Sequence, residues 1–291
     1  MAGSISAKIE QGLGARIVRS KPLSGGDIAD VSLLTLEDGR QVVAKRPRMD
    51  QPDTTAVEKM MLKHLSIKSP LLVPEVLFQA KGILVISHIP HQGTKDGEVV
   101  AIDVASHIAA LHAVRPKSAK SFYGFEKDTF IGPLPQQNKP SDNWVQFFRD
   151  HRLLAMAASS ARTGRLPSAS MKRIETLAER LNEFLPTAPK SSLLHGDLWA
   201  GNMLVDGDKV AGFIDPAISY GHNEMDLAFI DLMGGLDPIF FAAYSKHTPI
   251  DSAFFENRKT IYQLWPLLVH VRLFGGGYVA QIDRALAELG F

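Results

Sequence analysis

Residues 193–216 read LLHGDLWAGNMLVDGDKVAGFIDP. Apolar runs stand on both sides of a polar centre, and Asp197, Asn202 and Asp215 fall between segments with strand character. The run "DGD" at 206–208 marks a tight turn between two of those segments. The stretch predicts strand, loop, strand, turn, strand, with the loop and the far end of the hairpin presenting oxygen-bearing side chains. Taken singly, Asp and Asn at these places would be ordinary turn residues. Their order and the residues elsewhere in the chain decide otherwise.

The series His195-Gly196-Asp197-Leu198, with Asn202 four residues further on, parallels the H-R-D-L-x-x-x-N catalytic loop of protein kinases. In that loop the Asp faces the attacking hydroxyl and the Asn reaches a metal ion on the nucleotide phosphates, while a later Asp also holds metal. Asp215, in "FIDP", takes the place of that later Asp. Phosphoryl transfer is mostly positioning plus neutralisation of charge, so a hydroxyl-facing carboxylate and metal ligands must converge on one phosphorus. Hard oxygen ligands suit magnesium. His195 reads as a core residue that supports the loop, and no His spacing in the chain has a metal-binding pattern.

This chemistry requires a phosphate-binding Lys and a carboxylate partner upstream. "VVAK" ends a strand at Lys45, and Glu58 follows thirteen residues later on a helix. That helix covers 53–67, with Val57, Met60, Met61 and Leu65 on one face and Asp53 or Thr54 as its cap. "SGGD" at 24–27 forms a strand-to-strand turn in which Gly25 and Gly26 let bare backbone approach phosphates. Runs within 15–47 read as strands joined at "EDG", and "GILVISHIP" is a buried strand ended by Pro90. Residues 1–89 are thus expected to form a small β-rich lobe, and residues 90–291 a larger, mainly helical one. Residues 115–142 read as a long loop whose aromatics, Phe122, Tyr123, Phe125 and Phe130, pack over the second lobe.

Composition narrows the class. The chain has 291 residues, 45% apolar and 22% charged, with a net charge of +1. These values fit a globular protein and argue against a nucleic-acid binder. Without cysteine, disulfides and thiolate catalysis are excluded. The first residues lack a secretory apolar core, and the apolar run near the C-terminus is broken by Pro266, His270 and Arg272. The expectation is a cytoplasmic protein without a membrane partner.

The chain resembles the protein kinase-like fold, and within it the aminoglycoside phosphotransferase-like branch. More narrowly it is similar to the fructosamine/ketosamine kinase family, on "SGGDIADV", "FYGFEKDTFIGPLPQQNKPSDNWVQFFRDHRL", "HGDLWAGN" and "YGHNEMDLAFIDLMGG". The resemblance implies an α+β bilobal enzyme using ATP and Mg2+ to phosphorylate a sugar hydroxyl of a ketosamine or other glycated amine, with glycated protein a further acceptor. It implies Asp197 as catalytic base, Asn202 and Asp215 as magnesium ligands, and Lys45 and Glu58 as the ion pair. It also implies Ser87, His88 and Ile89 as the adenine hinge, Asp226 as the tie of the catalytic loop, and Trp199 as an acceptor wall. Two departures stand out. The Gly-Gly loop continues as "GGDIAD" without the family's Asn, and "RLLAMAA" is apolar where polar residues are usual. The Arg of H-R-D is Gly196, so no phosphate-read switch is expected. Two other readings stand beside this one. One is a phosphotransferase for an aminoglycoside, choline or homoserine; the other is a nucleotide-binding pseudokinase without turnover.

Overall fold

The computed structural model of the chain describes residues 5–23, 29–94, 97–117, 122–233 and 238–291. Gly25 and Gly26, expected to contact phosphate, lie outside the described residues. The first part opens with a helix, α1 (Ile5–Leu13), that the strand-rich pattern does not announce. Strands β1 (Ile17–Pro22), β2 (Ala29–Leu36) and β3 (Gln41–Pro47) follow, then α2 (Thr55–Lys68), β4 (Val76–Ala80) and β5 (Ile83–Ser87). The strands form one antiparallel sheet in the order β1-β2-β3-β5-β4. At the expected "EDG" turn, Gly39 takes φ 87°, a left-handed conformation that glycine adopts without penalty.

Period-two alternation sorts this sheet onto two cores. Val42, Ala44, Ile83 and Val85 join Leu34, Leu36 and Ile9 on the α1 side. Val43, Leu84 and Ile86 meet Leu62 of α2 on the other. Lys45, two residues after Val43, therefore faces α2. The apolar face read on α2 turns to a third and larger core: Met61 and Leu65 are members, with Val57 and Met60 packed against it. One helix thus joins the sheet to the remainder of the chain. Asp53 rather than Thr54 closes its N-terminus. The Thr55 N–H donates to Asp53 Oδ1 at 3.1 Å, and Thr54 makes no side-chain cap.

The remainder is mainly helical. β6 (Gly93–Thr94) and α3 (Gly97–His112) come first. Residues 122–142, within the expected loop of 115–142, hold a hairpin of β7 (Thr129–Ile131) and β8 (Leu134–Gln136). Tyr123 and Phe125 are buried in the large core and Phe122 packs against it, whereas Phe130 is half-buried and not part of it. The chain continues through α4 (Trp144–Phe148), a π-helical turn at Arg149–Leu153, α5 (Leu154–Arg162) and α6 (Ser168–Glu179). Then come β9 (Ser191–Leu194), β10 (Met203–Gly207), β11 (Lys209–Phe213) and β12 (Ser219–His222). Four helices close the chain: α7 (Glu224–Met233), α8 (Pro238–Ser245), α9 (Lys259–Phe274) and α10 (Tyr278–Glu288). The strand–loop–strand–turn–strand reading of 193–216 matches β9, the loop through 202 and the β10–β11 hairpin. Among the described residues no helix is long and apolar enough to cross a membrane.

A buried histidine makes the helical part sensitive to acid. Trp144 Nε1–H donates to the Tyr262 hydroxyl at 2.8 Å, so the Tyr262 proton is free for His222 Nδ1 at 2.9 Å. His222 is therefore the neutral, Nε2-protonated ring. Burial first, and then Arg258 and His112, push its pKa down to about 3. The unfolded chain takes up that proton near pH ~6.5, the folded chain only near the depressed value. The stability contributed by neutral His222 is complete above this window and lost as pH falls through it. Melting temperature is expected to decline on acidification from neutrality to about pH 4. His222→Asn keeps an acceptor that cannot be protonated and should flatten that slope. Identical slopes for the two proteins would contradict the assignment.

Candidate active site

The loop between β9 and β10 is held from beneath by one carboxylate. Asp226, in the first turn of α7 and 1% exposed, accepts the His195 N–H at 2.8 Å on Oδ2 and the Gly196 N–H at 2.9 Å on Oδ1. Its position suits the positive end of the helix. His112 of α3 lies with Nε2 3.2 Å from Asp226 Oδ2 and Nδ1 2.8 Å from the Tyr244 hydroxyl of α8. That hydroxyl accepts from Asn223 Nδ2 at 2.8 Å, leaving its proton for His112 Nδ1 and the Nε2 proton for Asp226. Sequence reading anticipated Asp226 and missed His112, which carries no local signal. His195 is fully buried. It accepts the Asp197 N–H at 3.4 Å on Nδ1, and burial lowers its pKa, keeping it neutral.

Within this frame Asp197 and Asn202 meet. Asn202 Nδ2 donates to the Asp197 backbone O at 2.8 Å and to Asp197 Oδ2 at 3.1 Å. Both amide hydrogens are spent on Asp197, which leaves Asn202 Oδ1 available to a cation. Burial, and then the charge of Asp215, push the Asp197 pKa up to about 7, against the Asn202 hydrogen bond. A carboxylate tuned in this way is suited to accept a proton.

Asp215 arrives from β11 on a stitched backbone. Ile214 N donates to Asn202 O at 3.0 Å and Ala217 N to His195 O at 2.8 Å. Asp215 itself takes φ 53°, a left-handed conformation that a non-glycine residue holds only when its surroundings enforce it. Its carboxylate, with the side chain 46% exposed, pairs through Oδ1 with Lys45 Nζ. Lys45 Nζ also lies 2.6 Å from Glu58 Oε1. Burial disfavours the ammonium, but Asp215 and Glu58 outweigh it and raise the Lys45 pKa, so the ammonium persists. Sheet, α2 and the loop after β11 therefore meet at one cation.

The other expected site residues are spread around this cluster. Ser87 N donates to Glu75 O at 2.8 Å and Ser87 Oγ accepts from Glu75 N at 2.9 Å, so that side chain is committed to the chain beside it. His88 is half-buried, and the Ile89 carbonyl lies 2.9 Å from His91 Nδ1. Ile89 Cδ1 lies 2.5 Å from where a Cβ on Gly212 would stand, so Gly212 gives the Ile89 side chain room. Trp199 is 41% exposed, with its ring folded over Gly201, where a Cβ would come within 2.3 Å of the indole. The ring is thus an exposed aromatic face two residues from Asp197.

Oxygen donors of this kind fit magnesium. Asn202 Oδ1 is unspent and the Asp215 carboxylate is half-exposed. Among the described residues no cluster of three His, Cys, Asp or Glu could hold a metal. A cation that keeps waters and phosphate oxygens in its shell needs no such cluster.

Gly196 shows why this loop has no Arg beside its Asp. Its φ is 82°, and a Cβ would stand 2.1 Å from the Ala217 carbonyl oxygen. Gly196→Ala should cost at least about 2 kcal/mol in denaturant unfolding. Gly39, at φ 87° but with open space around it, is the control. Gly39→Ala should lose only about 1 kcal/mol. Equal losses would mean that the carbonyl contact at Gly196 is unimportant.

The sequence profile of the family described as fructosamine kinase matches residues 1–290. A protein of Enterococcus faecium named "Probable ketoamine kinase" is 37% identical over 185 residues, 63% of this chain and 65% of that protein. A chloroplastic protein-ribulosamine 3-kinase of Arabidopsis thaliana is 36% identical over 177 residues, 60% of this chain and 53% of that protein. The chain spans less than two thirds of the length of these two relatives. The crystal structure of a Thermobifida fusca protein described as a fructosamine-3-kinase superposes with a TM-score of 0.86 at 28% identity, covering 99% of both chains. Crystal structures of aminoglycoside phosphotransferases, such as an ADP-bound one with a TM-score of 0.65 at 17% identity, share the bilobal kinase-like fold.

Proposed function

The chain belongs to the fructosamine kinase family, and from that premise we propose that it transfers the γ-phosphate of ATP to a sugar hydroxyl of a ketosamine. The observation that carries this reading is the single cluster in which Lys45 joins Glu58 and Asp215 while the backbone on both sides of Asp215 is bonded to the loop bearing Asp197 and Asn202. A free-standing ion pair would not need that coupling. Phosphoryl transfer does, because its groups must converge on one phosphorus.

In this reading the lobes are residues 1–89 and 90–291, and the nucleotide lies between them. The backbone of Ser87, His88 and Ile89 meets adenine, and Gly25 and Gly26 approach the phosphates. Lys45, fixed by Glu58, neutralises the α- and β-phosphates. The Asp197 carboxylate orients the acceptor hydroxyl and takes its proton as the oxygen attacks the γ-phosphorus. The bond from that phosphorus to the ADP oxygen breaks, and ADP leaves. Asn202 Oδ1 and the Asp215 carboxylate would hold Mg2+, which when bound would supply charge neutralisation at the phosphates. His195 and Asp226 support the loop from below. Trp199 offers an apolar face against which a sugar ring stacks. Glycated protein is included among the acceptors, since the Arabidopsis thaliana relative is named a protein-ribulosamine kinase and Trp199 stands at the surface. ATP as donor requires a compartment that maintains it, and we assign the reaction to the cytoplasm.

Coupled ADP release with free and protein-linked ketosamines tests the reading, with an aminoglycoside, choline and homoserine as contrasts. ADP release with a contrast acceptor and none with a ketosamine would refute the assigned substrate. Asp197→Asn should lower kcat by roughly 10²–10⁴-fold while ATP still binds. Wild-type turnover in that variant would remove the base from the scheme. Trp199→Ala should raise the acceptor KM about tenfold, the scale of a lost stacking contact, without moving the ATP KM. An unchanged acceptor KM would place the sugar elsewhere.

A further inference from the structure

The geometry points to Gln136 as a positioning residue for Asp215, acting through the backbone of Ala217. This inference rests on the phosphotransfer reading of the same site and extends it into the segment 122–143, whose purpose that reading leaves unexplained.

Gln136, 3% exposed, ends β8. Its Nε2 donates to the Ala217 carbonyl at 2.9 Å and to Thr129 Oγ1 at 2.9 Å. Both amide hydrogens are directed, whereas the buried Oε1 has no partner. The opposite amide orientation would set Oε1 against the Ala217 oxygen, so the donor must face that carbonyl. Thr129 Oγ1 is fully engaged as well. It donates to the Ile218 carbonyl at 3.3 Å and accepts from Gln136 and, at 2.8 Å, from Asn138 Nδ2. Two residues beyond Ile218, Gly124 and Tyr220 exchange backbone hydrogen bonds at 2.8 Å in each direction. The segment thus reaches the carbonyls of residues 217, 218 and 220 in succession, the run that follows Asp215 and Pro216.

The hairpin is itself anchored. Arg152, 1% exposed, donates to the Gln137 carbonyl at 2.7 Å and to Asn138 Oδ1 at 2.8 Å. The segment also leans on α2, the helix that carries Glu58. The His64 ring meets Phe125 edge-on at 4.9 Å, and His64 Nε2 lies 3.3 Å from the Tyr220 hydroxyl. The Ala217 peptide is therefore held from two sides, by the His195 carbonyl at its N–H and by Gln136 at its oxygen. Asp215, two residues upstream at φ 53°, needs such enforcement to keep a conformation its own backbone disfavours. Gln136 supplies that enforcement from a hairpin far away in sequence, and the same segment steadies the helix behind the Lys45 partner.

The test compares wild type with Gln136→Leu, of similar volume but without the donor, and with Thr129→Val. Three quantities are read: kcat with its half-saturating magnesium concentration, the acceptor KM, and amide hydrogen exchange over 214–220 in the nucleotide-free protein. The expected result for Gln136→Leu is a kcat about tenfold or more lower, a raised half-saturating magnesium concentration and an unchanged acceptor KM. Exchange over 214–220 should be faster, with the melting temperature nearly that of wild type. Thr129→Val should move the same quantities by less. It decides the matter alone if Gln136→Leu does not fold. Unchanged local exchange and magnesium dependence in the folded variants would overturn the proposal, as would a loss of kcat that leaves both in place. If wild type itself consumes no ATP, the phosphotransfer reading falls, while the exchange data still decide whether Gln136 holds the segment after Asp215.

Discussion

A protein-enclosed ammonium must be matched by anions, or it gives up its proton. Lys45 is matched twice, by Glu58 from α2 and by Asp215 from the loop after β11. Those carboxylates belong to parts of the chain that share no strand pairing. The pairing therefore sets where the sheet, the helix and the β10–β11 hairpin stand relative to one another. It also leaves two carboxylates for one cation, an excess of negative charge in which Asp215 has an exposed flank free to take a further cation. The same arrangement that stabilises the buried Lys leaves that carboxylate flank turned outward.

The loop from His195 to Asn202 depends on an analogous arrangement one layer deeper. Asp226 spends its two oxygens on consecutive backbone N–H groups, His112 adds a contact to Oδ2, and Tyr244 holds His112 in turn. Buried polar groups of this kind are costly when partly satisfied and rigid when fully satisfied. Here α3, α7 and α8 each contribute a member, so the helices that build the core also fix the direction in which Asp197 points. Asn202 then restrains Asp197 from the far end of the loop. Fold stability and site geometry draw on the same bonds.

Part of this was legible in the sequence, for a physical reason. The strand that ends at Lys45, the single apolar face of Val57, Met60, Met61 and Leu65, and the spacing from Asp197 to Asn202 and Asp215 across a short loop and a tight hairpin are all readable there. These are local constraints, written in consecutive residues. The partners of Ala217, Asp226 and the His64 ring come from distant segments, and no period or spacing connects 136 with 217 or 112 with 226. The β7–β8 hairpin was hidden for a different reason. Its strands are three residues each and are interrupted by Gly132, Pro133 and Pro135, so the pattern reads as loop although the backbone pairs.

Gly196 joins these threads. In regulated protein kinases the corresponding position is Arg. Here the backbone at 196 turns to φ 82° and presses its Cα against the Ala217 carbonyl, the oxygen that Gln136 also holds. No side chain fits at 196 without displacing that carbonyl, and displacing it would disturb Asp215 two residues away. Close approach of the two loops thus takes up the space that a charge-reading side chain would need. The position of the segment after Asp215 is set by fixed hydrogen bonds from β8 and β9 rather than by a group at 196. A fold arranged in this way holds Asp197, Asn202 and Asp215 together by packing, with Gly196 as the residue small enough to permit it.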